Sequence, residues 1–202
     1  LAEQKIREPK QKRSIEKKNK IILAGYELFC EKGYHNTNTA EIAKRACVST
    51  GIVYNYFTDK KAIFIAVLDN FSKSLSQNAF SDFQTINPNF NLEATIKKVV
   101  DAALDMHLTF VSAHEELQAM SHSDPDVKDY YKKCEEEIVE MLFDSLKSHG
   151  YNIRNPHEKL HFVYDMVENY CHEVAYHKHD CLDNNVLKEI VVETILSILT
   201  KP

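Results

Sequence analysis

Glycine and proline are scarce, at 4 and 5 of 202 residues. So few breakers and turn formers argue against a sheet-and-turn architecture and for long helices. No apolar run approaches the roughly 20 residues that a bilayer span needs. No positively charged, then apolar leader opens the chain. A soluble cytoplasmic protein with no membrane partner is the expectation. The five cysteines, Cys30, Cys47, Cys134, Cys171 and Cys181, are odd in number and scattered, and no CxxC pair occurs. They read as buried small hydrophobes in a reducing compartment rather than as disulfides. Catalytic signatures are missing too. No Ser/Cys–His–Asp spacing stands out, and no catalytic residue, metal or cofactor is assigned.

What is present is asymmetry of charge. The net charge is −5, yet residues 1–61 hold 13 Lys/Arg against 7 Asp/Glu, and residues 62–202 hold 12 against 23. The basic end suits a polyanion and the acidic remainder would be repelled by one. A merely solvated basic tail is the plainer alternative.

The apolar pattern gives an all-α chain of about nine helices. Residues 1–16, with Arg7, Lys10, Lys12 and Arg13, read as a flexible basic arm. Ile21, Ala24, Leu28 and Phe29 recur at helical spacing over 17–31, and Gly33 is a stop. Asn38 with Glu41 three residues on is a capping box opening a second helix, whose apolar face is Ile42, Ala43 and Ala46. Cys47 and Val48 make a bend, and Ser49 caps a third helix running to about Tyr56, with Ile52 and Phe57 packed inward. Asp59 caps a long fourth helix that buries Ala62, Ile63, Ala66 and Val67. Two short helices joined by a tight bend after a bracing helix make a helix-turn-helix. Residues 17–60 are thus a helix-turn-helix domain, and 61–202 a larger helical domain. Within the latter, Asn87-Pro88-Asn89 marks a loop and 92–111 a helix. Asp124-Pro125 opens a helix to Ser148, ended by Gly150. Asn155-Pro156, with Glu158 as capping-box partner, opens one to about Lys178, and the last spans 184–199.

In a helix-turn-helix the second short helix enters the DNA major groove. Here that helix carries Ser49, Thr50, Gly51, Tyr54, Asn55 and Tyr56. Gly51 costs roughly 1 kcal/mol of helix propensity and would let the backbone lie against DNA. Thr50 and Asn55 are base-reading types, whereas Tyr54 and Tyr56 suit phosphates and sugars. Asn38 and Thr39 bring the start of the preceding helix to a phosphate. Lys17, Lys44, Arg45 and Lys60 add cations. Core rings with polar tips are the structural alternative for the tyrosines, and a solvated lysine for Lys60.

The stretch "IILAGYELFCEKGYHNTNTAEIAKRACVSTGIVYNYFTDKKAIFIAVL", residues 21–68, resembles the DNA-binding domain of the TetR family of bacterial transcriptional regulators. The matching landmarks are Leu28, Phe29, Gly33, Tyr34, Thr37 to Ala43, Val48-Ser49, Gly51, Tyr54, Tyr56-Phe57 and Lys60. Lys61, where the family often has an acid, and Asn38, where threonine is common, depart from it. The resemblance implies a homodimeric repressor on a palindromic double-stranded operator, released when a small-molecule effector fills the larger domain. It implies phosphate contacts by Thr39, Tyr54, Tyr56 and Lys60, and base contacts by the third helix.

For the effector, candidate lining residues are Met106, His107, Phe110, Met120, Tyr130, Cys134, Met141, Tyr170, His172 and Tyr176, types that suit an adaptable pocket and equally an ordinary core. For the dimer, the last two helices offer Phe162, Met166, Tyr170, Leu187, Val191, Thr194, Ile195 and Ile198. Ten histidines invite a metal. His157 with His161, Glu168 with His172, and His177, His179 and Cys181 form partial groups, none of them a full ligand set at recognisable spacing. A DNA binder without an effector and an enzyme on a helical bundle are the competing functions.

Overall fold

The computed structural model describes residues 11–79, 89–109 and 111–201, all helix, turn or loop. Among these, nine α-helices follow one another: α1 Lys12–Lys32, α2 Thr39–Arg45, α3 Thr50–Tyr54, α4 Lys60–Ala79, α5 Leu92–Thr109, α6 Val111–Ser123, α7 Pro125–Ser148, α8 Pro156–His172 and α9 Asn184–Thr200. The all-α expectation holds. The chain divides into two compact units, the first up to Lys73 together with Ser112–Met120, the second Ser74–Val111 with Ser121 onward. The division falls inside α4, not at its first residue, where the sequence reading placed it.

In the first unit α1 buries Ile21, Ala24, Leu28 and Phe29, and α4 buries Ile63, Phe64 and Val67. Phe29 and Phe64 meet edge to face with centroids 5.3 Å apart, and Tyr34 lies 4.9 Å from Phe64. Gly25 allows α1 and α4 to close up, since a Cβ there would sit 2.8 Å from Cγ2 of Ile63. Thr37 is buried and donates its hydroxyl to the Gly33 carbonyl at 2.9 Å, tying the α1–α2 loop to the end of α1.

In the second unit, α5, α7, α8 and α9 share one apolar core that includes Ile96, Val100, Val139, Leu146, Leu160, Val163, Tyr170, Val191 and Ile195. Asp124 caps α7 as expected, accepting from the backbone of Asp126 at 3.0 Å. Gly150, at φ 85°, ends it in a Schellman motif, with Gly150 N–H donating to Lys147 and Tyr151 N–H to Leu146.

Several boundaries differ from the sequence reading. α1 begins at Lys12, so Lys12 to Glu16, expected in the arm, are helical; Arg7 and Lys10 lie outside the described residues. α3 stops at Tyr54, and its buried side chain is Val53, while Ile52 is half-buried. Ser49 makes no side-chain cap. Asn155 precedes α8 in a left-handed conformation without a side-chain cap, so the expected capping box with Glu158 does not form. α8 ends at His172, and Glu173–His177 form a π turn. α6 was not anticipated. The expected loop residues Asn87 and Pro88 lie outside the described residues. Among the cysteines only Cys171 is buried; Cys30, Cys47 and Cys181 are exposed, which corrects the buried reading. No described helix is long and apolar enough to cross a membrane.

Candidate nucleic-acid interface

The site is built by α2, the turn after it, and α3. Asn38 and Glu41 form the anticipated capping box: the Glu41 N–H donates to Asn38 Oδ1 at 3.0 Å, and the Asn38 N–H donates to Glu41 Oε2 at 3.1 Å. α2 ends in a second Schellman motif. Cys47 N–H donates to the Lys44 carbonyl at 3.2 Å and Val48 N–H to Ala43 at 3.0 Å. Cys47 takes the left-handed position at φ 55°, where glycine is usual. This bend turns α3 so that Val53 is fully buried, with Ala46 and Phe57 buried on either side of it in the chain.

What α3 then leaves outward is a short polar-aromatic ridge. Ser49, Gly51, Tyr54 and Asn55 are exposed, Thr50 and Tyr56 half-buried. A Cβ on Gly51 would meet only Ser49 Oγ, at 4.0 Å, and its φ is not positive. The fold therefore does not demand a glycine there. The two tyrosines, read alike in the sequence, differ. Tyr54 is 41% exposed, whereas the Tyr56 hydroxyl shares a 2.8 Å hydrogen bond with Ser14 Oγ on α1.

The cations also sort into two sets. Lys17 and Lys44 are exposed, as is Asn38, with Thr39 half-buried beside it. Arg45 makes a two-pronged pair with Glu31, both contacts at 2.8 Å, and reaches Glu27 at 3.0 Å. Hydrogen bonds from Arg45 hold the Glu31 carboxyl below its ordinary pKa. Lys60 donates to the Tyr34 carbonyl at 2.7 Å and lies 4.1 Å from that ring's centroid. Arg45 and Lys60 thus serve the domain itself, a role the sequence reading did not give them.

This domain matches the family described as "Bacterial regulatory proteins, tetR family" over residues 21–67. Residues 21–67 thus carry a DNA-binding domain of the TetR type. The family comprises DNA-binding regulators and not enzymes. The chain is similar to the HTH-type transcriptional regulator HbdR of Aromatoleum sp. (strain CIB), 46% identical over 55 residues, covering 27% of this chain and 24% of HbdR. It is also similar to the HTH-type transcriptional regulator BetI of an Escherichia coli strain, 30% identical over 44% of this chain and 45% of BetI. The chain thus spans about a quarter to under half the length of these curated relatives. Its whole fold is similar to that of Salmonella enterica GusR, at TM-score 0.72 and 16% identity, covering 96% of this chain and all of that one. FadR from Bacillus halodurans, described as a fatty acid degradation regulator, gives 0.64 at 19% identity with the same coverage.

The residues expected to line an effector pocket sit in different surroundings among the described residues. Tyr170 lies in the apolar core and Met141 packs against it. Met120 falls in the first unit, Met106, Tyr130 and Cys134 are half-buried, and Phe110 lies outside the described residues. The apolar cavity found among the described core residues holds about 40 Å³, lined by Ile96, Val100, Leu146, Leu160, Val163 and Ile195 among others. That is room for about one water.

His107, His172 and Tyr176 do come together. The His107 and His172 rings are 5.4 Å apart, and Tyr176 lies 5.4 Å from His172. Glu168 joins them, 3.5 Å from His107 Nε2, and accepts from the Tyr131 hydroxyl at 3.1 Å. Burial works against charge on His107, but the Glu168 carboxylate outweighs it and raises the imidazole above its ordinary pKa. Burial lowers His172. Burial, with Glu168 nearby, raises the phenols of Tyr131 and Tyr164. Tyr131 and Tyr164 were missed as site residues, and Glu168 was named only with His172 as a partial metal-ligating pair. A signal existed: Tyr164, Glu168, His172 and Tyr176 recur every four residues. The sequence gives no hint that His107, on α5, completes the group.

The expected dimer residues also divide. Tyr170, Val191 and Ile195 are buried in the unit's own core, and Met166, Leu187 and Ile198 pack partly against it. Thr194 donates its hydroxyl back to the Ile190 carbonyl at 2.7 Å. Phe162, at 59% exposure, is the expected residue that stays outward, joined by Val186 and Ile190, which were not named.

Proposed function

We propose that the protein is a homodimeric, ligand-responsive transcriptional repressor that binds a palindromic operator through α3. The observation that carries this reading is Gly51, a glycine on an exposed helix where neither packing nor backbone conformation needs one. Its use is outward, in allowing a base edge or phosphate to approach the backbone. Thr50 and Asn55 supply base-reading groups beside it. Tyr54, Thr39, Lys17 and Lys44 supply phosphate contacts, with Asn38 and Ser49 at the two helix starts. Tyr56, Lys60 and Arg45 contribute by setting the positions of α1, the Tyr34 loop and α2, and reach phosphates only as far as their internal bonds allow.

Dimerisation follows from the need for two reading helices on one site, since each base pair contributes only about 1–3 kcal/mol of discrimination. The surface that fits is Phe162 on α8 with Val186 and Ile190 on α9. The polar cluster around Glu168 is the place in the second unit best supplied with groups to recognise an effector.

The test is selection of bound fragments from genomic DNA of the source organism at about 0.15 M salt, where non-specific phosphate contacts are weakened. Enrichment of a few palindromic sites, with half-sites about one helical turn apart or a little more, is the expected result. Recovery without sequence preference would overturn the operator reading and favour a DNA binder without selectivity.

A further inference from the structure

The group around Glu168 has the chemistry of a metal site. His107 Nε2 lies 3.5 Å from Glu168 Oε2, and His172 Nε2 lies 3.9 Å from the same oxygen. One ligand atom from each of the three residues falls within 4.8 Å of the others. In a tetrahedral site with donors 2.0–2.1 Å from the ion, neighbouring donors stand roughly 3.3 Å apart. The two carboxylate–imidazole separations, 3.5 and 3.9 Å, lie slightly above that spacing. We propose that His107, Glu168 and His172 bind a divalent first-row transition ion of the zinc, cobalt or nickel kind. Three protein ligands leave a position for water or for an oxygen donor of a second ligand.

Three further observations support this assignment. His107 Nδ1–H donates to the Ala103 carbonyl at 2.8 Å, which directs the Nε2 lone pair of the neutral ring towards Glu168. Glu168 is held in turn by the Tyr131 hydroxyl. Ligands oriented by such outer partners are the usual pattern around bound ions. The donor set of two imidazoles and one carboxylate suits borderline ions rather than calcium or magnesium.

Burial separates this trio from the other His–acid pairs. The His107 side chain is fully buried, and Glu168 and His172 are 16% and 13% exposed. The His157 and Glu140 side chains are 51% and 61% exposed, and His177 is 61% exposed beside Glu173. The ion would also join α5 to α8, across 61 residues of sequence from His107 to Glu168. This inference concerns the second unit alone and does not depend on the operator reading.

The same cluster without a metal would be a simple contact between His107 and Glu168, and the experiment separates the two. The full chain is stripped with a chelator and titrated with cobalt(II), by calorimetry and visible absorption. One ion per chain, with the intense d–d bands of a low-coordinate site that zinc(II) bleaches, is expected. Glu168→Gln and His172→Gln should weaken binding beyond the 10–100-fold typical of an outer-shell partner. Tyr131→Phe should fall within that range. These partly exposed positions carry the test because replacing the fully buried His107 threatens the fold; circular dichroism checks that each variant is folded. His177→Gln with His179→Gln should leave binding unchanged. Absence of stoichiometric binding would overturn the site. So would binding that survives Glu168→Gln and His172→Gln but is lost in the His177/His179 variant.

Discussion

At the scale of single residues, two positions separate the demands of folding from those of DNA. Gly51 has open space where a side chain would sit. Gly51→Ala should leave the domain as stable as before or stabilise it by about 0.5–1 kcal/mol. The same change should weaken operator binding about tenfold or more, since a close contact is worth about 1–3 kcal/mol. Thermal melts and fluorescence anisotropy on one protein preparation check both halves. Cys47 makes the opposite case. It occupies the left-handed position of a helix-ending motif that α7 fills with Gly150. A left-handed non-glycine residue costs roughly 1–2 kcal/mol, partly offset by the greater unfolded-chain freedom of glycine. Cys47→Gly should therefore raise the urea midpoint by an amount equivalent to about 0.5–1 kcal/mol. A fall would mean that the long thiol contact to the Arg45 carbonyl, at 4.0 Å, outweighs the backbone strain.

At the scale of elements, two asparagines that look alike in sequence act differently. Asn38 caps α2 through its side chain, and Asn38→Ala should cost about 1 kcal/mol. Asn155 makes no cap and is left-handed, at φ 51°. Asn155→Gly should be neutral or stabilising, and chemical denaturation of the two variants side by side tests the contrast. Helix packing gives a third case. Gly25→Ala improves helix propensity by about 1 kcal/mol, yet its Cβ would press on the stiff, fully buried Ile63. Overpacking of this kind costs about 1–3 kcal/mol, so the variant should melt at a lower temperature than the parent.

The same elements show what the sequence made legible. α2, α7 and α9 carry strong start signals or unbroken apolar periodicity, and their placement followed. α6 was invisible because "VSAHEELQAMSHS" has neither a strong apolar stripe nor a preceding cap. The end of α8 was overrun because Glu173 to His177 keep helical composition while shifting to π bonding. α3 was given Ile52 as its inward residue, since neither Ile52 nor its buried neighbour Val53 is distinguished by spacing in so short a helix. Asn155 illustrates the limit of a motif: Asn-Pro is compatible with capping and with a left-handed turn, and only the surrounding chain decides. The candidate interface was legible as a face, but the internal bonds of Arg45, Tyr56 and Lys60 were not. They depend on partners 14, 42 and 26 residues away. Spacing cannot reveal such contacts.

At the scale of the whole molecule, the separation of charge and the outward apolar residues lead to an assembly. Under the proposed function the basic N-terminal stretch would meet the polyanion, and the exposed Phe162, Val186 and Ile190 would be the surface on which two chains join. Phe162→Asp with Ile190→Asp should give monomers by light scattering, with operator affinity lost although the first unit is untouched. One feature of the bend between α2 and α3 then takes on a further use. Cys47 is an exposed thiol next to the reading helix. With Cys30 and Cys181 replaced by serine, it becomes an attachment point for a spin label on each reading head. Because half-sites recur about 34–36 Å apart along B-DNA, the distance distribution between two labels should narrow near or somewhat above that spacing when operator is added. The turn is thus a built-in ruler, able to report how far the two heads must travel between free and bound protein.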